Sequence, residues 1–288
     1  MDISRTAVED SLKSFIAEDL GHGDITSNAI VDANQQGSGR VICKENAVIA
    51  GIEESMILLE LANCTGKPLA RDGQHVKAGA TILSVTGPAR GILMVERTLL
   101  NLLSHMSGVA TATADLVSIA SKASRNKVRV ACTRKSLPGL RYFEKRAVEL
   151  GGGDTHRLRL DDAVLIKDNH LEFTTSIASA VRTAKSKASF TKKIEVEVTS
   201  PDQAVEAVTV GADIVLLDNM TSQNVARALA ALKTNNLRDR VIVEVSGGIT
   251  EKNIAGYAKT GADIISVGAI THSARAIDMS LHVSKGRI

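Results

Sequence analysis

From residue 127 onward, short aliphatic runs alternate with stretches of helical periodicity, and this alternation constrains the fold more than any other feature of the chain. The runs begin about 19 to 35 residues apart, which is the spacing of repeated β-α units. A GADI motif at 211–214 recurs at 261–264, two units later, and supports a repeat. Such runs are typical of strands buried on both faces of a parallel sheet. Six strands are predicted, at 128–132, 163–166, 194–198, 213–217, 241–245 and 263–267.

Six such units predict a β/α barrel short of the usual eight strands, with a doubly wound open sheet as the alternative. No GxGxxG motif follows the first strand, so a Rossmann cofactor domain is not supported. Residues 1–90 mix short helical stretches with glycine-punctuated strands and predict a separate N-terminal domain. Two helices are expected to follow, at 91–106 and 109–123, with Gly108 as the break between them. The first is apolar around much of its circumference, which predicts burial at a domain or subunit interface.

Composition narrows the classes of ligand. Four Phe, two Tyr and no Trp argue against single-stranded nucleic-acid binding and against an aromatic cage. A net charge of +3 is too small for a general polyanion binder. Residues 122–146, however, carry nine Lys and Arg and one acid, Glu144. This local charge indicates a small anionic ligand, and a solvated basic helix face is the alternative.

The cysteines and the hydropathy of the chain predict its compartment. Cys43, Cys64 and Cys132 are far apart, so neither a disulfide framework nor a zinc site is expected, and a reducing compartment fits. The polar N-terminal residues do not resemble a signal peptide, and no apolar run approaches 18 residues. We therefore expect a soluble cytoplasmic protein that binds neither membranes nor nucleic acid.

Polar and small residues collect where the six predicted strands end. In a β/α barrel this rim is where the active site is built. A glycine-rich loop at 151–153 adds a His-Arg pair that can reach the same rim. The candidate residues are Arg134, Lys135, His156, Arg157, Lys167, Glu197, Asp218, Ser246, Gly247, Gly248, Val267, Gly268 and Ala269.

The cations of this set predict an anionic ligand. Arginine holds carboxylate or phosphate bidentately, while lysine acts as a point charge. The small residues at 246–248 and 267–269 let backbone N–H groups approach a phosphate, although they also suit tight βα turns. Glu197 and Asp218 would repel an anion unless they hold a divalent cation or sugar hydroxyls. Mg²⁺ on ribose and diphosphate oxygens satisfies both needs. The predicted ligands are a phosphorylated sugar with Mg²⁺ and a second anion.

Nine stretches make the chain resemble nicotinate-nucleotide pyrophosphorylase (carboxylating), the quinolinate phosphoribosyltransferase family of type II phosphoribosyltransferases. They keep the family's order and cover nearly the whole chain. Ser136 stands where the family usually has Thr, and Thr155 stands where Asn commonly precedes the His-Arg pair. The stretches are EDLGHGDIT at 18–26, ERTLLNLLSHMSG at 96–108, TRKSLPGLRYFEKRA at 133–147, GGGDTHR at 151–157, LIKDNH at 165–170, EVEV at 195–198, LLDNM at 216–220, SGGI at 246–249 and SVGAITHS at 266–273.

The resemblance implies an N-terminal α/β sandwich domain, residues 1–110 completed by 272–288, and an open six-stranded-type α/β barrel, residues 111–271. It also implies a homodimer or higher assembly in which Arg97 of one subunit reaches the partner's active site. The implied reaction joins quinolinate and 5-phosphoribosyl-1-diphosphate to give nicotinate mononucleotide, diphosphate and CO₂, with Mg²⁺, in NAD biosynthesis.

The resemblance also implies roles for the residues. Quinolinate carries two carboxylates, and its expected contacts are Arg97, Arg134, His156, Arg157 and Lys167. Lys135, Glu197 and Asp218 are the expected catalytic residues, with Lys135 between the two substrates. Glu197 and Asp218 would hold the ribose hydroxyls and Mg²⁺, directly or indirectly. Ser136 is expected to bind substrate, and the loops at 246–248 and 267–269 to bind the 5-phosphate.

Two other functions stay open at this stage. Lys167 at a strand end could form a Schiff base, as in barrel aldolases. A related family member could keep the phosphoribosyl site and use another acceptor, or only bind anions. The presence of Arg97, Arg134, His156 and Arg157 favours quinolinate as the acceptor.

Overall fold

The computed structural model describes residues 4–125 and 127–285. The chain divides into two compact units. The first contains the described residues up to Ala112, the segment Pro138–Gly152 and the described residues from Ser273; the second contains Thr113–Leu137 and Gly153–His272, apart from residue 126. The segment 138–152, which the sequence prediction assigned to the barrel domain, belongs to the first unit.

The helices and strands follow one another in this order. The first part of the chain contains α1 (Arg5–Leu20), α2 (Ile25–Ile30), β1 (Gln36–Cys43), β2 (Ala47–Val48), α3 (Ile52–Leu61), β3 (Thr65–Pro68), β4 (His75–Val76), β5 (Ala80–Pro88) and α4 (Ala89–Ser124). The remainder contains β6 (Arg129–Ala131), α5 (Arg141–Leu150), β7 (Val164–Ile166), α6 (Asp168–Leu171), α7 (Ile177–Lys187), β8 (Ile194–Val198), α8 (Pro201–Thr209), β9 (Ile214–Asp218), α9 (Ser222–Thr234), a 3-10 turn (Arg238–Arg240), β10 (Ile242–Ser246), α10 (Ile254–Ala258), β11 (Ile264–Ser266), α11 (Ala269–His272) and β12 (Met279–Lys285).

The first unit is built on an antiparallel sheet of strand order β12-β1-β5-β3, with β2 and β4 forming a separate small pair. Strand β12 runs along β1 from Gly37 opposite Lys285 to Cys43 opposite Met279, so a late segment of the chain extends the sheet made by an early one. Helix α3 packs against both α1 and β3. Together these layers form the N-terminal α/β sandwich of the predicted fold class.

Helix α4 corrects one prediction. The expected break at Gly108 was wrong, because Ala89–Ser124 is one continuous helix of 36 residues. A Cβ atom at Gly108 would lie 2.2 Å from the carbonyl oxygen of Arg275. The glycine therefore permits a close backbone approach within the first unit rather than a turn.

The second unit contains a parallel sheet of six strands in the order β6-β11-β10-β9-β8-β7. Strands β7 to β11 pair in sequence and β6 joins β11, so among the described residues a closed barrel lacks only the β6–β7 pairing. A doubly wound sheet would instead reverse its strand order partway. The open α/β barrel is therefore confirmed, with every strand within one residue of its predicted ends.

Local sequence explains how this unit is built. The middles of the strands carry aliphatic residues with no exposed surface, among them Val196, Val215 and Val243. Helices α7, α8 and α9 each begin after a hydroxyl residue whose side chain accepts a backbone N–H of the first turn. Parallel strands joined by helices place all strand carboxyl ends at one edge of the sheet. In the described parts of the chain, no helix combines the length and apolarity needed to cross a membrane.

Candidate active site

A cleft of about 630 Å³ opens at the carboxyl ends of the barrel strands, within the second unit. Most of the predicted site residues line it. Those brought together are Arg134, Lys135, His156, Arg157, Lys167, Glu197, Asp218, Ser246, Gly247, Gly248, Val267, Gly268 and Ala269.

Two predicted residues lie elsewhere. The Ser136 hydroxyl donates to the backbone carbonyl oxygen of Arg134 at 3.5 Å, and Ser136 does not line the cleft in the described chain. Arg97 is an exposed residue of α4 in the first unit. Their proposed contacts with substrate stay predictions.

The cleft has a cationic side formed by Arg134 and Arg157. Arg134 Nε is buried and has no hydrogen-bond partner among the described residues. Arg157 donates from Nη1 to the backbone carbonyl oxygen of Ala163 at 3.3 Å. Burial, and then the neighbouring Arg134 guanidinium, lowers the pKa of Arg157 below its ordinary value. Two crowded guanidinium groups, one with an unused buried donor, offer the charge and the hydrogen-bond donors that an anion requires.

Lys167 and Glu197 connect this side to the carboxylate side. Lys167 follows β7, and its Nζ lies 2.8 Å from Glu197 Oε2 on the neighbouring strand β8. The Lys167 side chain is 43% exposed whereas that of Glu197 is 12% exposed, so the ammonium group is the part that a ligand can reach. This ion pair holds the Lys167 ammonium group at the border between the cationic side and the carboxylate side, which Glu197 and Asp218 form.

Asp218 ends β9 on the carboxylate side and is held by Asn219. Asn219 Nδ2 donates to Asp218 Oδ2 at 2.6 Å, and the Asn219 backbone N–H donates to the Ser246 carbonyl oxygen at 2.9 Å. Gly247 lies against this turn with φ +96°, and a Cβ atom there would lie 2.2 Å from Asn219 Oδ1. The glycine is needed for both its backbone conformation and its contact.

Lys135 lies over the glycine loop at 267–269. A Cβ atom at Gly268 would lie 3.0 Å from Lys135 Cδ and 3.3 Å from His272 Nε2. The Thr271 hydroxyl donates to the Lys135 carbonyl oxygen at 2.7 Å. The absence of a side chain at Gly268 therefore leaves room for the lysine stem at the edge of the cleft.

Sequence reasoning assigned no role to two buried glutamates beneath the cationic side. Glu195 on β8 and Glu244 on β10 are 2% and 1% exposed. His156 Nε2 lies 3.3 Å from Glu244 Oε2 and 3.8 Å from Glu195 Oε2. Burial, and then the Glu244 carboxylate, raises the pKa of Glu195 to about 7. The available signal was a glutamate inside an aliphatic strand, in IEVEV and in IVEVS.

Models of one family match both parts of the chain. The model described as quinolinate phosphoribosyl transferase, N-terminal domain, matches residues 24–107, and the model of its C-terminal domain matches residues 109–282. The two matches together cover most of the sequence, and they follow the same order along the chain.

Individual proteins are similar over nearly the full length. The probable nicotinate-nucleotide pyrophosphorylase [carboxylating] of Methanothermobacter thermautotrophicus is 46% identical, covering 95% of this chain and 98% of the relative. The protein of the same description from Methanocaldococcus jannaschii is 47% identical, with coverage of 94% and 95%. The solved nicotinate-nucleotide pyrophosphorylase of Francisella tularensis is 38% identical, with a TM-score of 0.90 and 98% coverage of both chains.

Proposed function

The chain belongs to the quinolinate phosphoribosyl transferase family, and we propose that it converts quinolinate and 5-phosphoribosyl-1-diphosphate into nicotinate mononucleotide, diphosphate and CO₂. The observation that carries the proposal is the pairing, in one cleft, of a crowded guanidinium side with a carboxylate side flanked by two glycine loops. Such a cleft suits one substrate rich in carboxylates and another that combines hydroxyls with phosphates.

Quinolinate is assigned to the cationic side. Its two carboxylates match the guanidinium groups of Arg134 and Arg157 and the ammonium group of Lys167. Each charged hydrogen bond contributes about 1.5–3 kcal/mol, so several are needed to offset desolvation of a dianion. The unused Arg134 Nε–H and the mutual repulsion of the two guanidinium groups both favour a bound dianion.

The phosphoribosyl substrate is assigned to the carboxylate side. Glu197 and Asp218 accept hydrogen bonds from the ribose hydroxyls, and the loops at 246–248 and 267–269 direct backbone N–H groups at the 5-phosphate. Lys135 is assigned to the space between the two substrates, and its position over Gly268 supports this assignment. A side chain at Gly247 would meet Asn219, and one at Gly268 would meet Lys135 and His272, so both loops depend on glycine.

The proposed reaction depends more on positioning the two substrates than on a nucleophile from the protein. The pyridine nitrogen forms a bond to ribose C1 while the C1–O bond to diphosphate breaks, and diphosphate leaves with the electron pair. Glu197 and Asp218 stabilise the positive charge that develops on C1. The carboxyl next to the alkylated nitrogen then leaves as CO₂, its electron pair stays on the ring carbon beside the cationic nitrogen, and that carbon takes a proton. The cleft aligns the reacting atoms and excludes water.

Mg²⁺ is the proposed metal. Glu197 and Asp218 offer oxygen ligands from neighbouring strands β8 and β9, and Mg²⁺ prefers oxygen ligands from one or two carboxylates plus substrate phosphates and water. Lys167 Nζ contacts Glu197 Oε2 and Asn219 Nδ2 donates to Asp218 Oδ2, so each carboxylate would offer its other oxygen to the ion. When bound, the ion neutralises charge on the leaving diphosphate.

We also propose a cytoplasmic homodimer in which Arg97 adds a guanidinium group to the partner's quinolinate site. The position of Arg97 on an exposed face of a long helix supports this assignment. Cys43, Cys64 and Cys132 are buried and form no disulfide among the described residues, as suits a reducing compartment.

Replacement of Arg134 tests the proposal. Arg134→Ala removes a preorganised charge on the quinolinate side and should lower kcat/KM for quinolinate by about 10²-fold or more. The matched control is Arg182→Ala on α7, an exposed arginine outside the cleft, which should retain wild-type activity. Near-wild-type turnover by Arg134→Ala would refute the assignment.

The Schiff-base alternative has a separate test. Lys167 is engaged by Glu197 at 2.8 Å, a contact that a lysine attacking a carbonyl would have to break. Borohydride treatment with a keto-acid substrate should leave Lys167 unmodified. A reduced covalent adduct on Lys167 would overturn the proposed function.

A further inference from the structure

His156 lies between the cationic side of the cleft and the buried glutamates below it. Its Nδ1 accepts the backbone N–H of Arg157 at 2.7 Å. Because an accepting ring nitrogen carries no proton, the ring N–H is at Nε2, which faces Glu244 Oε2 at 3.3 Å. The ring therefore joins the backbone of Arg157 to a carboxylate in the barrel interior.

The loop that carries His156 needs an external support. The residue has φ +51°, a left-handed conformation that costs energy for any residue other than glycine. On the N-terminal side of the loop, the His156 backbone N–H donates to Asp154 Oδ1 at 2.8 Å. Asp154 in turn forms a β-bridge with Ala131, the last residue of β6. On the other side, the ring contacts to Arg157 and Glu244 hold the conformation.

Glu244 is itself held on two sides. The Ser266 hydroxyl on the adjacent strand β11 donates to Glu244 Oε1, while Oε2 faces the histidine ring. Ser266 is 1% exposed, and both Ser266 and Glu244 line the cleft. Glu195, by contrast, has one carboxylate oxygen, Oε1, with no hydrogen-bond partner in the described chain, and its other oxygen is 3.8 Å from the ring. Glu244 is therefore the better-placed anchor.

We propose that Glu244, held by Ser266, is a positioning residue for quinolinate binding: it fixes the His156 ring, and the ring fixes Arg157. The inference rests on the proposed function, because it assigns Arg157 to quinolinate. Two strands of the barrel support this chain of contacts, and strands hold a side chain more rigidly than a loop does. Without the anchor, the His156 ring and the Arg157 backbone gain freedom, and the guanidinium no longer meets the carboxylate in one geometry.

Two substitutions of Glu244 separate positioning from charge. Glu244→Ala removes the acceptor and should raise KM for quinolinate by about tenfold, with KM for 5-phosphoribosyl-1-diphosphate within about twofold of wild type. Glu244→Gln keeps the shape: its carbonyl oxygen can accept from His156 and its amide can donate to Ser266 Oγ. This variant should keep KM for quinolinate within about threefold of wild type.

A matched control lies at the amino-terminal ends of β8 and β9 in the same sheet. Asp213 accepts the backbone N–H of Ile194 at 2.7 Å, outside the cleft, so Asp213→Ala should lower the thermal midpoint without changing either KM. If Glu244→Ala does not fold, Ser266→Ala provides the test, because it loosens Glu244 without removing it. This variant should raise KM for quinolinate by about threefold.

The positioning role is overturned by any of three results: unchanged KM for quinolinate in the folded Glu244→Ala or Ser266→Ala variant, equal increases in KM for both substrates, or equal damage by Gln and Ala at position 244. Failure of the proposed function is distinguishable, since then the wild-type protein itself would form no nicotinate mononucleotide from quinolinate.

Discussion

Two buried glutamates, one taken from each unit, have different surroundings. Glu54 in the first unit is 1% exposed; Tyr142 donates to its Oε1 at 3.4 Å, and its Oε2 has no hydrogen-bond partner among the described residues. Glu244 in the second unit is equally buried, but its oxygens face Ser266 and His156. Burial of a carboxylate costs free energy unless polar partners offset it. The partners of Glu244 offset that cost at the cleft, whereas Glu54 bears most of it.

This difference predicts that substitutions of cleft residues in the second unit change activity, while substitutions at tight or buried positions of the first unit change stability. The largest expected effect is at Lys135. Lys135→Ala should lower kcat/KM by about 10²- to 10³-fold, because the lysine is proposed to act between the two substrates. Its thermal midpoint should stay within about 2 °C of wild type, since the side chain is exposed.

The control for Lys135 is Lys233→Ala, an exposed lysine in the last turn of α9. Steady-state kinetics with both substrates and a thermal melt are the measurements. Full activity in Lys135→Ala, or a loss matched by Lys233→Ala, would contradict the assignment of Lys135 to the reaction.

Arg97 is the exception to this division between the units, because it belongs to the first unit and yet is proposed to act in catalysis. Arg97→Ala and Lys135→Ala should each be nearly inactive alone. Mixed at equal amounts as homodimers, they should recover about a quarter of wild-type activity, since half of the dimers are mixed and each has one intact site. Verified mixed dimers that show no recovery would remove Arg97 from the partner's site.

Gly247 and Gly108 provide a matched test of this division. A side chain at either position would collide with neighbouring atoms, but the two glycines lie in different units. Gly247→Ala should raise KM for 5-phosphoribosyl-1-diphosphate by about tenfold, since it displaces the Asp218–Asn219 turn and strains a positive φ. Gly108→Ala meets the Arg275 carbonyl oxygen and should lower the free energy of unfolding by about 1–3 kcal/mol, with both KM values unchanged. A kinetic defect in Gly108→Ala but not in Gly247→Ala would contradict this division.

The smallest expected effect on activity is at Glu54, where we expect only a pH-dependent gain in stability. Burial raises the pKa of Glu54 from its ordinary value of 4.5 to about 7 in the folded chain. The folded state therefore binds the proton more tightly, and stability falls as pH rises from 4.5 towards 7. Glu54→Gln should be more stable than wild type by about 2–3 kcal/mol at pH 8, and equal to it near pH 4. Urea unfolding at the two pH values is the measurement; equal differences at both would exclude a titration of Glu54.

Much of the second unit could be predicted because its signals are local. Each aliphatic strand, and the polar residues that end it, occupies one short stretch, and parallel strands then bring those ends together. Gly108 was misread because the reason for it, the Arg275 carbonyl oxygen, comes from a distant part of the chain. The role of Glu244 was missed for the same reason, since its partners Ser266 and His156 lie on other elements.

The sequence pattern also does not show how deep in the barrel each strand residue lies. Glu195 and Glu197 alternate with valine and share a face of β8, yet Glu195 is 2% exposed and Glu197 lies at the cleft. The distinction depends on how far each residue stands from the strand end. It separates a glutamate of the barrel interior from one proposed to bind ribose.

The central claim is that the cleft selects an acceptor by its two carboxylates. The most direct measurement compares quinolinate with nicotinate, each with 5-phosphoribosyl-1-diphosphate, and follows CO₂ from quinolinate labelled at the carboxyl next to the ring nitrogen. We expect one CO₂ per nicotinate mononucleotide, and kcat/KM for quinolinate at least about 10²-fold above that for nicotinate, because the missing carboxylate leaves buried cations unpaired. Equal use of nicotinate, or nucleotide formation from quinolinate without release of CO₂, would contradict the claim.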